Sequence, residues 1–172
     1  SYLAWSVACS TGEETYSLAM LVDDVANAWP TECSFGVTGT DISLPSLEHA
    51  REGVYLKRRL KDIPGNYQDT YCRAVSDNRF QMSDYLRQRV CFSQLNLRDL
   101  ESAQLQKVDL IYCQNLLIYY GRSQREEMIN GLAGFLRPGG VLILGPGELL
   151  NWQYPNMERV RFDDTAAYRR TE

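Results

Sequence analysis

The chain has 172 residues, of which 44% are apolar and 23% charged; this is enough for one core, tight for two, and too apolar for a disordered chain. Its formal charge of −4, from 18 basic and 22 acidic residues, offers no general attraction for phosphate, so nucleic acid is disfavoured as a partner. No apolar run reaches bilayer length, and five cysteines without a Cys-x-x-Cys pair, beside a single histidine, argue against a metal site and suit buried thiols in a reducing cytoplasm.

Residues 3–8 read as a buried strand. Ser10-Thr11-Gly12-Glu13-Glu14 follows, and Ser10 with Glu13, or Thr11 with Glu14, has capping-box spacing for a helix start. Leu18, Leu21, Val22 and Val25 then recur at helical spacing, and Pro30 closes the segment. Residues 35–40 read as a second strand ending at Asp41. Ser43 and Pro45 open another helix through Leu47 and Ala50. Arg51, Lys57, Arg58, Arg59 and Lys61 crowd together, either as a solvated face or as a surface for an acidic partner.

The stretch around 53–93 is less regular, with a turn signal at Asp62-Ile63-Pro64-Gly65-Asn66. It reads as a small excursion from the main layer. Residues 108–113 form a central strand. Ser123 with Glu126 is a further capping-box candidate, and Met128, Ile129, Leu132, Ala133 and Leu136 supply a buried helical face. Arg137-Pro138-Gly139-Gly140 is expected to end that helix. Residues 141–145 and 167–169 complete the strands. Cys91 and Cys113 sit in apolar runs and are expected in the core. Strands alternating with helices, and strands apolar nearly throughout, predict an α/β layer with a largely parallel sheet covered on both faces.

Ligands of such sheets sit beyond the carboxyl ends of the strands. Three loops meet there. The first, 8–14, contains neither G-x-G-x-x-G nor a Gly-Lys-Ser/Thr P-loop ending. Two carboxylates at a helix start would repel a phosphate and hold a cationic group such as an ammonium; alternatively they only complement the helix dipole. The second carries Asp41, placed to accept from a ribose diol, or else a turn former or helix cap. The third, 114–120, places Asn115 and Tyr119 over the same edge, and Asn96 is either a pocket residue or a turn residue. Together they point to a nucleoside bearing an amine rather than to a pyrophosphate.

These loops resemble the motifs of the CheR-type chemoreceptor glutamate methyltransferases. Residues 5–20, from Trp5-Ser6-Val7-Ala8-Cys9-Ser10-Thr11-Gly12-Glu13-Glu14 to Met20, are similar to the first motif, and Thr40-Asp41-Ile42-Ser43 to the second. Phe92 with Asn96-Leu97 is similar to the third, and Asp109 to Tyr120 to the fourth. Leu136-Arg137-Pro138-Gly139-Gly140 and Tyr168-Arg169-Arg170 also resemble family segments. The resemblance implies a Rossmann-like S-adenosylmethionine-dependent methyltransferase fold, helices on both faces, and a small β-subdomain inserted around 53–93. It implies methyl transfer from S-adenosylmethionine to glutamate carboxylates on the cytoplasmic domain of a methyl-accepting chemoreceptor, leaving S-adenosylhomocysteine. Carried over residue by residue, Glu13, or Glu14 in the alternative register, binds the methionine part. Asp41 holds the ribose hydroxyls, Asn96 and Leu97 frame the adenine, Gln114 and Asn115 line the cleft, and Tyr119 stands near the methyl group and the incoming carboxylate.

That reaction needs no general base, because a carboxylate is already ionised near neutral pH; alignment and exclusion of water are what the protein must supply. Two departures stand out. Gln114 occupies a position where the family often has Arg, and the family's Gly-His-Ser-Glu appears as Gly145-Pro146-Gly147-Glu148, in which Pro146 removes a backbone donor. They fit a divergent branch, such as one serving a pilus-linked chemosensory system, or a non-catalytic module that keeps the cofactor fold. The family's N-terminal helical domain, which supplies an Arg to the active site, is expected to be missing from residues 1–172, so the catalytic core is expected to fold but to be slow alone.

Overall fold

A computed structural model describes residues 1–103, 105–145, 152–162 and 165–172; Pro146, Gly147 and Glu148 lie outside them. The main sheet contains β1 (Tyr2–Val7), β2 (Phe35–Asp41), β6 (Val90–Gln94), β7 (Val108–Cys113), β8 (Leu136–Leu144), β9 (Met157–Phe162) and β10 (Thr165–Arg170), in the order β6-β2-β1-β7-β8-β10-β9. The first five are mutually parallel, and β10 runs antiparallel to both β8 and β9. The family-like α/β architecture, parallel but for this edge, is present.

A second, three-stranded antiparallel sheet is built from β3 (Val54–Leu56), β4 (Cys72–Ser76) and β5 (Arg79–Met82), in the order β3-β5-β4. The helices α1 (Glu13–Ala28), α2 (Leu44–Glu52), α3 (Gly65–Tyr71), α4 (Asp84–Arg87) and α5 (Arg122–Ala133) complete the chain with three short 3₁₀ turns. The turn signal at Pro64-Gly65 is thus the start of α3. β6 rejoins the main sheet beside β2, with Val37 opposite Val90 and Asp41 opposite Gln94.

The core divides between the two faces of the main sheet. On one face Trp5, Ile111, Leu142 and Leu144 pack against Met128, Ile129 and Leu132 of α5. On the other Ala4 and Val37 pack against Tyr16, Ala19 and Met20 of α1, and this layer runs on into Tyr55, Phe80 and Leu86. Alternation along β1 is the cause: successive side chains point to opposite faces, so each strand serves both layers.

Several local expectations are corrected. The residue capping the start of α1 is Gly12, which is left-handed (φ 88°) and offers no side-chain cap; Thr11 is committed instead to Glu13. Leu21 and Val25 are about half exposed while Leu18 and Val22 are buried. Those side chains line an apolar cavity of about 330 Å³ with Leu110, Tyr112 and Ile143. α5 starts at Arg122, and Gln124 Oε1 accepts from the Gly121 N–H at 3.2 Å; Glu126 pairs with Arg122. The helix ends at Ala133, and Arg137 to Gly140 lie inside β8 as an irregularity that shifts its register against β7. Cys113 is buried, but Cys91 is exposed on the edge strand and contacts Thr38 Oγ1 at 3.2 Å. An edge strand has a partner on one side only, so an apolar run there need not be interior.

Candidate active site at the carboxyl edge

The carboxyl ends of the five parallel strands share one edge. The chain fills the sheet from β1 outward to β2 and β6, then returns to place β7 on the other side of β1. Strand order therefore reverses between β1 and β7, the position at which sheets of this kind take their ligands. Backbone strain collects at this point. Among the described residues four non-glycine residues have positive φ, and three of them, Ala8 (56°), Ser10 (50°) and Asn115 (59°), are in the loops after β1 and β7. Such conformations cost about 1–3 kcal/mol each and persist only where the surroundings hold them.

The loop after β1 is held firmly. Cys9 N donates to Thr40 O at 2.9 Å, and Gly12 N to Cys9 O at 2.9 Å. Asp41 Oδ2 accepts from Ser10 N at 2.8 Å, and Oδ1 from Ser43 N at 2.9 Å. One carboxylate thus ties the two loops together, and each oxygen keeps a further lone pair for a ligand. Gly12 could be nothing else: its φ is left-handed, and an added Cβ would sit 2.7 Å from Ala50 Cβ.

Glu13 and Glu14 point in different directions. Glu13 turns toward the small sheet, accepts from Thr11 Oγ1, and pairs with Arg59 Nη2 at 3.2 Å. Burial works to raise its pKa, but the hydrogen bonds from Thr11, its own backbone and Arg59 win and hold it below the ordinary value. Glu14 turns toward the main sheet, where Ser6 Oγ donates to it at 2.7 Å. Burial and then the charge of Glu14 push the Tyr112 hydroxyl up; Tyr112 is the β7 partner of Ser6. Glu14 therefore lies beside the β1–β7 reversal point. Burial, with Asp41 and Glu14 adding to it, pushes the Cys9 thiol up to about 11, which makes it a neutral wall rather than a nucleophile at pH 7.

The remaining sequence candidates divide into two groups. Asn96 starts the 3₁₀ turn 97–102, its Oδ1 accepting from Arg98 N at 3.1 Å, and Leu97 packs against the core. Asn96 lines an open cavity of about 570 Å³ with Thr40, Ile42, Ser93 and Gln94, beyond the ends of β2 and β6. Ile42 is 63% exposed there. After β7, Gln114 is half-buried, Asn115 is exposed, and Tyr119 is 78% exposed at the end of a 3₁₀ turn. The structure thus places Glu14 and Asp41 beside the loop after β1, Asn96 on one flank, and Gln114, Asn115 and Tyr119 on the other, with Glu13 turned away. Sequence reasoning missed Tyr55 and Ser6. Ser6 stood inside the first motif without a role given to it, Tyr55 belongs to no periodic or spaced pattern, and Arg59 was visible only as one of a basic run.

The local field is negative, with an apolar shelf at one end, and it acts on a neutral thiol. Such a site suits a cationic ligand carrying a diol and a flat apolar group, and disfavours a phosphate. Comparison with known proteins agrees. Residues 1–166 match the family model described as CheR methyltransferase, SAM binding domain. The chain is 34% identical to a chemotaxis protein methyltransferase of Vibrio parahaemolyticus over 96% of this chain and 60% of that protein. It is 32% identical to one from Borreliella burgdorferi over 85% and 52%. The chain therefore spans about half to three-fifths of the length of these relatives. Among solved structures, the magnesium protoporphyrin IX methyltransferase of Synechocystis with bound S-adenosylmethionine superposes with a TM-score of 0.55, at 18% identity over 99% of this chain and 70% of that one, a likeness of fold. Sequence family, sheet order and the character of the edge converge: this chain belongs to the CheR methyltransferase family and is its S-adenosylmethionine-binding domain.

Proposed function

We propose that the protein methylates glutamate side chains on the cytoplasmic domain of a methyl-accepting chemoreceptor, working in the cytoplasm, and that the edge at the carboxyl ends of β1 and β7 is where it does so. The observation that carries this reading is the pair of carboxylates at the reversal point. Asp41 is fixed by two backbone donors, and Glu14 is fixed by Ser6, on opposite sides of one strained loop. When bound, S-adenosylmethionine supplies an electrophilic methyl group on a sulfonium. Asp41 accepts from the ribose hydroxyls with its remaining lone pairs. Glu14, rather than Glu13, holds the methionine ammonium, since Glu14 turns to Ser6 of β1 while Glu13 turns to Arg59 beside the small sheet. Asn96, Leu97 and Ile42 frame the adenine, and Gln114 and Asn115 close the opposite wall.

Tyr119 stands clear of the core and orients the incoming carboxylate through its hydroxyl. Modest contacts serve here, because strong stabilisation of separated charges would favour the ground state of a reaction that neutralises them. Calorimetry with S-adenosylhomocysteine tests the assignment. Glu14→Gln is expected to weaken binding about tenfold, the value of one charge-assisted hydrogen bond, and Glu13→Gln by less than threefold. The reverse order would give the ammonium to Glu13. A second reading, a cofactor-binding module without catalysis, is favoured by Gln114 standing where the family often has Arg. It predicts tight binding with no methyl ester formed on receptor glutamates.

A further inference from the structure

The loop after β1 is gripped from two sides. The main sheet holds it through Thr40 O and the Asp41 carboxylate. The other grip comes from the small sheet: Tyr55 Oη donates to Thr11 O at 2.7 Å. The peptide joining Thr11 to Gly12 is thereby pinned at both ends, its N–H on Cys9 O at 2.9 Å and its carbonyl on Tyr55. That peptide lies between left-handed Ser10 and left-handed Gly12. The Cys9 contact reaches only three residues back in the chain, whereas the hydroxyl of Tyr55 holds the carbonyl from the small sheet, 44 residues away.

Tyr55 is well placed to act as a fixed post. It is 5% exposed, and its ring is wedged against His49, Phe80 and Tyr16 at centroid distances of 5.6, 5.9 and 6.2 Å. Burial, with Tyr16 and Glu13 adding, pushes its hydroxyl up, so it stays a neutral donor. Four residues on, Arg59 of the same segment takes the Glu13 carboxylate. The segment 55–59 thus holds both the last peptide of the loop and the first residue of α1.

We propose that Tyr55 is a positioning residue: by fixing the Thr11 carbonyl it keeps the loop after β1 in its cofactor-binding shape, and it makes cofactor affinity depend on where the small sheet sits. The inference rests on the reading of this edge as the S-adenosylmethionine site. A partner that shifts β3 would then alter cofactor affinity without touching the cofactor.

Tyr55→Phe keeps the ring and removes only the hydroxyl. Affinity for S-adenosylhomocysteine is expected to fall about fivefold, the value of one hydrogen bond to a main-chain carbonyl. Amide exchange at Gly12 and Glu13 should quicken in the free protein and slow again at saturation. Arg59→Met, at a side chain that is 54% exposed and so free to change without repacking, is expected to weaken binding about threefold and to quicken the same amides. A purely structural Tyr55 would lower the melting temperature and leave affinity within twofold of the parent. That result in both variants overturns the proposal while the cofactor site stands. A parent protein that does not bind S-adenosylhomocysteine at all brings down the site and the proposal together.

Discussion

The loops after β1 and β7 follow neighbouring parallel strands at one sheet edge and are built on opposite plans. Residues 8–14 are pinned by the neighbouring strand end, by Asp41 and by Tyr55, and three of their residues are left-handed. Residues 114–120 carry one left-handed residue, Asn115, and leave Tyr119 largely in solvent. On the proposed reading, the difference separates a cofactor side from a substrate side. A ligand used again and again in one shape is met by a loop whose strain has been settled in advance, which lowers the cost of ordering on binding. The proposed protein substrate would be met by groups that project outward and can be reached.

The sharpest way to break the first plan is Asp41→Ala. It removes the acceptor for Ser10 and Ser43 together with the proposed ribose contact. It is expected to lower S-adenosylhomocysteine affinity about 100-fold and stability by about 2 kcal/mol, by calorimetry and denaturant unfolding respectively. A protein that melts lower but binds as before would make Asp41 a loop clamp only. The second plan is tested by Tyr119→Phe, expected to reduce turnover on a receptor fragment about tenfold with cofactor affinity and melting temperature unchanged. Loss of affinity with unchanged turnover would move Tyr119 into the cofactor wall.

The smallest effect sharpens the contrast between the two glutamates. Glu13 has its pKa held below the ordinary value near 4.5, so its stabilisation is present above that pH and is lost as pH falls through the lower, folded value. Glu13 is about a third exposed, and solvent screens the pair. Glu13→Gln is therefore expected to melt only about 2 °C or less below the parent at pH 7. The gap should close on acidification to below pH 4.5. A gap that widens in acid would reverse the sign of the Arg59 interaction.

Much of the candidate site's placement was legible because its residues abut strand ends. Asp41 closes β2, and Gln114 and Asn115 follow β7, so a correct reading of the strands placed them on one edge. The capping of α1 was not legible. Ser10-x-x-Glu13 has the right spacing, but the loop spends Ser10's backbone on Asp41 and gives the helix start to a left-handed glycine. Spacing also could not separate Glu13 from Glu14. They are adjacent in the chain, yet one helical step of about 100° sends one carboxylate to the small sheet and the other to β1. Cys91 shows the same limit from another side, being apolar by neighbourhood and exposed by its place on an edge strand.

What the sequence determined by itself was the order of the main parallel strands and the helices between them, because periodicity and turn chemistry act within a few residues of the chain; the bounds of α1 and α5, the small sheet and β9 were not determined by it. Its motifs were enough to assign the family. Only the tertiary structure decided which way Glu13 and Glu14 face, that Asp41 binds two loops into one, and that Tyr55, more than forty residues from Thr11 in the chain, orients its peptide. Those choices rest on contacts between distant segments, and no local pattern encodes them until the two sheets are packed together.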